Sequence, residues 1–168
     1  MKNLRHVIGL VAVLALGACA TAGGNAGTRS SIDHVDVTVI ERIQPASTGG
    51  SFDQRYKSFR AQQGLPSVQA DSRLTRAARR HAADMARRGF FGHRGSDGTK
   101  PSDRVKAAGF RPCYTAENIG QGPFNEAQIF DAWVRSYGHR VNMVRRGNTR
   151  YGVAEVGGYW VMVMAEPC

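Results

Sequence analysis

The string WVRSYGHRVNM, Trp133 to Met143, puts a large aromatic, a serine, an imidazole, a guanidinium and a carboxamide within a few residues of one another. Ser136 and His139 stand three apart, which allows a nucleophile and base pair, with Glu117 as the acid that would orient the histidine. No GxSxG elbow and no pair of oxyanion glycines accompany Ser136, so acyl transfer is disfavoured. Arg140 and Asn142 either bind a ligand carboxylate or phosphate or cap neighbouring helix ends, with capping the better reading of Asn142. Trp133 reads as core and cleft wall, and the stretch as the floor of a site.

The elements that must hold this floor are legible from periodicity. Phe52, Tyr56 and Phe59 recur at helical spacing behind a Ser51 cap, and Gly64 with Pro66 ends that helix. A second helix runs from Asp71 or Ser72 to Arg88, with Leu74, Ala77, Ala78, His81, Ala82 and Met85 on one stripe and Gly89 as its stop. His81 reads as a core histidine with its hydrogen bonds satisfied. Asp97-Gly98 marks a turn, a short helix follows Pro101, and Cys113 falls in a loop. Asn125 with Gln128 forms a capping box for a helix that carries Ile129, Phe130, Trp133 and Val134 and ends on Gly138. Tyr151 to Val156 and Tyr159 to Glu166 flank Gly157-Gly158 and predict a hairpin. Helices followed by a terminal hairpin predict an α+β layered domain over residues 51–168.

The first eighteen residues have the pattern of a signal peptide: Lys2 and Arg5, then an apolar run from Val7 to Leu16, then small residues before Cys19. LGAC at Leu16 to Cys19 resembles a bacterial lipobox, and Ala20 after the cysteine resembles lipoproteins sorted to an outer membrane. Residues 19–50 are then a lipidated N-terminus and tether, in which VDVTVI, Val35 to Ile40, alternates like an edge strand or forms an ordered arm. Removing Lys2 and Arg5 from 23 basic residues leaves 21 against 13 acidic ones, a net +8. An exported, lipid-anchored protein does not meet nucleic acid. The charge, including the stripe Arg73, Arg76, Arg80 and Arg87, either faces an anionic lipid or wall polymer or is a solvated surface. With Cys19 acylated, Cys113 and Cys168 remain as an even pair in an oxidising compartment, and a disulfide is predicted.

Five strings stand in order: HAADMA (81–86), FGH (91–93), AENIG (116–120), WVRSYGHRVNM (133–143), and YGVA with YWV (151–154, 159–161). Together they resemble the CAP superfamily, the SCP-like group of cysteine-rich secretory, antigen 5 and pathogenesis-related-1 proteins, in its short bacterial form. The resemblance implies an α-β-α sandwich, a central antiparallel sheet flanked by helices, with an open cleft. It implies cleft residues at His93, Glu117, Asn118, Ser136, His139 and Arg140, with Ser136 standing where the wider family has a second acid. It further implies a divalent ion such as zinc on His93, His139 and Glu117, though no cofactor is required. Two imidazoles and a carboxylate are a legitimate ligand set for hydrolytic zinc. The rival role of Glu117 and Asn118 is a hydrogen-bonded network that fixes the loops to the sheet. Two functions stay open. One is binding of a lipid, wall polymer or envelope protein in the cleft without catalysis. The other is a metal-dependent hydrolase that uses Glu117 and His139.

Overall fold

A computed structural model describes residues 50–168. The leader, Cys19, the tether and the Val35 to Ile40 arm lie outside the described residues. Three of the helices begin where an N-cap side chain relieves the unpaired N–H groups of the first turn. Ser51 and Gln54 form a reciprocal capping box for α1 (Phe52–Gln62). Asp71 caps α2 (Ser72–Arg88), which stops on Gly89 in a left-handed conformation at φ 64°. Between them β1 (Gln69–Ala70) is a two-residue strand. Pro101 opens α3 (Pro101–Ala107), and Asn125 with Gln128 boxes the start of α4 (Glu126–Arg135).

Two local readings of the sequence are corrected. Gly138 does not stop α4: the break comes at Ser136, whose extended backbone (φ −82°, ψ 119°) both ends α4 and begins α5 (Tyr137–Val144), with Gly138 inside the new helix. Cys113 is not in a loop but in β2 (Pro112–Gln121), which also carries the AENIG string and pairs antiparallel to β4 (Tyr159–Pro167). β3 (Arg150–Val156) and β4 form the predicted hairpin across Gly157 and Gly158, both at positive φ.

The sheet order is β1-β3-β4-β2. Its three long strands are antiparallel, and β1 adds a short parallel pairing to β3 at the edge. Because successive strand residues face opposite ways, β4 divides the core in two. Trp160, Met162 and Met164 pack with Phe52, Tyr56, Phe130 and Trp133 from α1 and α4, and with Met143 of α5. Val161, Val163 and Ala165 pack with Leu74, Ala77, Ala78, Ala82 and Met85 of α2 and Val105 of α3. The fold is thus an α-β-α sandwich. On the α2 side the layers meet closely, since a Cβ added at Gly152 would collide with the backbone of Leu74 and Thr75.

Cys113 and Cys168 form the predicted disulfide, Cα atoms 4.8 Å apart across a sequence separation of 55. It ties the end of β4 to the start of β2. Closing a loop of that length stabilises the fold by ~4 kcal/mol on the chain-entropy account.

Candidate functional site: a histidine and carboxylate cluster beside an apolar groove

Glu117 is the centre of the site. Its position in β2 points its side chain into the sandwich, where it is 1% exposed. Both oxygens are engaged. His93 Nδ1 donates to Oε1 at 3.0 Å, and Arg104 Nη2 of α3 donates to Oε2 at 2.7 Å. His81 Nε2 lies 3.8 Å from Oε1 and donates its own hydrogen bond to the Gly92 carbonyl at 2.8 Å. Arg104 also holds the carbonyls of Thr99 and His93, at 2.9 and 3.0 Å, so one guanidinium fixes both the carboxylate and the loop that carries His93. A buried carboxylate with a bound guanidinium is strongly coupled to its surroundings, and losing either partner leaves the other charge uncompensated.

The imidazoles respond differently. The hydrogen bond from His93 to Glu117 raises the pKa of His93 above the ordinary histidine value, against desolvation. His139 is lowered, first by burial and then by the neighbouring charge of His93, so the two rings lie within electrostatic reach. His81 is lowered by burial. The cleft thus pairs a histidine that holds its proton more tightly than usual with one that releases it more readily.

The remaining candidate residues split between the opening and its support. Asn118 Nδ2 donates to the His139 carbonyl at 3.1 Å, and Asn142 Nδ2 donates to Asn118 Oδ1 at 2.9 Å. These amides therefore tie α5 to β2 and set the position of His139. Asn142 is a tie across elements rather than the helix cap its sequence suggests. Arg140 donates to the Val134 carbonyl at 2.9 Å and so closes the end of α4. Ser136 and His139 line a groove of about 430 Å³ with Phe91, Ile119, Phe124, Ile129 and Trp133. Trp133 Nε1 donates to the Ile119 carbonyl at 3.2 Å, which orients its ring along the groove.

Arg104 was invisible in the sequence as a site residue, because nothing in PSDRVKA separates a buried arginine from a solvated one. His81 is buried in the core as read and lies 3.8 Å from the carboxylate, but its hydrogen bonds are not all satisfied, since Nε2 is paired and Nδ1 is not. No group of three His, Cys, Asp or Glu side chains among the described residues is placed to hold a metal ion. With Oε1 on His93 and Oε2 on Arg104, Glu117 stands behind His93 as an orienting carboxylate rather than beside it as a ligand.

The sequence profile of the cysteine-rich secretory protein family, CAP, matches residues 54–163, well over half of the chain. The chain belongs to the CAP family. Its CAP domain is 33% identical over 103 residues to the protein YkwD of Bacillus subtilis, a match covering 60% of this chain and 40% of YkwD. An extracellular SCP-domain protein of Bacillus anthracis has a similar fold, with TM-score 0.66 and 21% identity over 68% of this chain and 39% of that one. An outer surface protein of Borrelia burgdorferi has TM-score 0.62 and 17% identity, over 68% of this chain and 89% of that one. The chain thus spans about two fifths of YkwD and of the Bacillus anthracis protein. At these identities the two solved structures speak to the CAP fold alone.

Proposed function

We propose that this CAP domain is exported and held at the cell envelope, where its cleft binds an amphipathic ligand without transforming it. The observation that carries the reading is the groove itself: apolar along Phe91, Phe124, Ile129 and Trp133, with Ser136 and His139 adding polar groups to its lining. Phe91 and Phe124 are 51% and 38% exposed, so the apolar surface is open to a ligand rather than sealed in the core. A lipid chain, a wall-polymer segment or an apolar side chain of a protein partner would lie there, its polar end at the two histidines. A divalent ion in this site would be held by His93 and His139, with Glu117 fixing the His93 ring.

Replacing Phe91 and Phe124 together by serine removes the two exposed aromatics without touching the core. The variant is expected to bind the amphipathic probe anilinonaphthalene sulfonate about tenfold more weakly, read by fluorescence titration. Unchanged affinity would place the apolar site elsewhere.

The address rests on the lipobox at Cys19, and the Cys113 to Cys168 disulfide is in keeping with an oxidising compartment. The similar proteins described as extracellular and as outer surface support the same address. Among the described residues no helix is long and apolar enough to cross a membrane. Cys19→Ser is expected to abolish incorporation of labelled fatty acid into the chain; if the label persists, the lipid anchor at Cys19 is wrong.

A second reading, a metal-dependent hydrolase, is favoured by the opposed shifts of His93 and His139, which suit an acid and a base. The engagement of both Glu117 oxygens takes that carboxylate out of the role of base.

A further inference from the structure

On the far side of the Glu117 cluster, α2 and α3 diverge over a second depression, about 500 Å³ in volume. Its lining includes two small residues, Ala83 on α2 and Ala107 on α3. Residues 79, 80, 83 and 87 fall on one helical face, so Arg79, Arg80 and Arg87 surround the alanine. All three are exposed, and none makes a hydrogen bond or ion pair with any described residue.

Three carboxylates also line the depression, and each is turned to the loop or to a helix end. Asp84 accepts from Ser96 N and Oγ at 2.8 and 2.7 Å, and Asp97 Oδ1 accepts from Thr99 N and Oγ1 at 3.0 and 2.7 Å. Asp103 accepts from Lys100 N at 2.9 Å, in the first turn of α3. These carboxylates organise the wall, while the α2 guanidiniums remain free to meet an anion. At the base, Arg104 Nε and His81 Nδ1 are buried without partners, in residues 9% and 1% exposed. Because His81 Nε2 donates to Gly92, Nδ1 is left as an acceptor. A donor beside an acceptor suits a hydroxyl or water beneath a phosphate.

We infer that this depression is a phosphate site for the headgroup of an anionic phospholipid, and that through it the α2–α3 face of the domain lies on the membrane. Guanidinium groups favour this chemistry because their planar forks match phosphate oxygens. The inference stands apart from the cleft reading, since it uses neither the groove nor His139.

The test uses the full chain carrying Cys19→Ser, with vesicles of phosphatidylglycerol and phosphatidylcholine or of phosphatidylcholine alone, in a cosedimentation assay. An apolar leader would contribute equally to both vesicle types, so the anionic preference is the readout. Replacing Arg79, Arg80 and Arg87 by glutamine is expected to reduce that preference roughly 100-fold, from the contribution of each basic group near an anionic surface. The control replaces Arg135, Arg146 and Arg150, which removes the same charge elsewhere. It should retain most of the preference, and millimolar inorganic phosphate should compete. Equal loss from both triples would mean that net charge alone binds the membrane, and would overturn the site. So would no anionic preference at all, or phosphate binding by calorimetry that the α2 triple leaves unchanged.

Discussion

Arg60→Ala is expected to destabilise the domain by about 4 kcal/mol, the cost of a buried charged hydrogen-bond network together with a cavity. Arg60 is fully buried, and its hydrogen-bond partners among the described residues are backbone carbonyls, none a carboxylate. Its Nε donates to the Pro66 carbonyl at 2.9 Å, Nη1 to the Met143 and Arg145 carbonyls at 2.9 Å each, and Nη2 to the Arg146 carbonyl at 3.3 Å. Tyr56 adds a hydroxyl to the Met143 carbonyl at 3.0 Å, with the guanidinium 6.0 Å from its ring centroid. Three of these carbonyls belong to the end of α5, where a helix leaves acceptors unpaired and its dipole favours a cation. Arg60 therefore fastens α1 to the helix that carries His139. Against a typical total of ~5–15 kcal/mol, the loss would leave the domain marginal. Arg60→Met preserves most of the volume and should still lose about 3 kcal/mol, since the carbonyls remain buried without donors. Urea unfolding measures both, and a loss under ~1 kcal/mol in the Met variant would show that packing rather than hydrogen bonding holds the end of α5.

Glu117→Gln should have an effect of similar size for a different reason. The change is nearly isosteric, but it leaves the Arg104 guanidinium buried without a counter-charge, which costs about 3–5 kcal/mol where a buried pair is broken. It also replaces the carboxylate whose hydrogen bond and charge raise the His93 pKa by a neutral amide. A histidine whose folded pKa lies above its unfolded value contributes stability fully below about pH 6.5, and that contribution vanishes as pH rises through the folded pKa. The deficit of Glu117→Gln should therefore be larger at pH 5.5 than at pH 8, and it falls to the Arg104 loss alone once pH passes the folded His93 midpoint. His81 and His139, both lowered, act in the opposite sense in both proteins: their contribution is present above about pH 6.5 and lost as pH falls. Unfolding at the two pH values, with an NMR titration of the His93 ring, separates these parts. If the His93 midpoint does not fall in the variant, the carboxylate is not what holds its proton.

The helices and the hairpin could be read from the chain because their signals are local. The α2 stripe, the Asn125 and Gln128 box, and Gly157-Gly158 each fix a conformation by themselves. β2 could not be read so, since PCYTAENIGQ lacks strand alternation and becomes a strand only by pairing with β4 from Pro112 to Gln121. Gly138 looked like a stop because glycine so often ends a helix, but it has no positive φ here, and the break falls on Ser136. Within the site, the five motifs pointed to His93, Glu117 and His139 by resemblance, and the structure brings His93 onto Glu117. What no motif conveyed is where the charge on Glu117 is balanced. Arg104, like Arg60, is an arginine that tertiary packing alone takes out of solvent.

The two faces of β4 differ in more than their partners. Toward α2 the sheet presents Val161, Val163 and Ala165 to a row of alanines, short side chains with almost no rotamers to exchange. Toward α1, α4 and α5 it presents Met162 and Met164, with Met143 set among them, all fully buried. Thioether chains are unbranched and polarisable and re-pack at little expense. The layer that carries the groove therefore rests on a compliant bed, and the layer that carries the arginines on a stiff one. Small rearrangements of α4 and α5 should therefore cost less than equal shifts of α2, where Met85 is the one thioether among mostly small side chains.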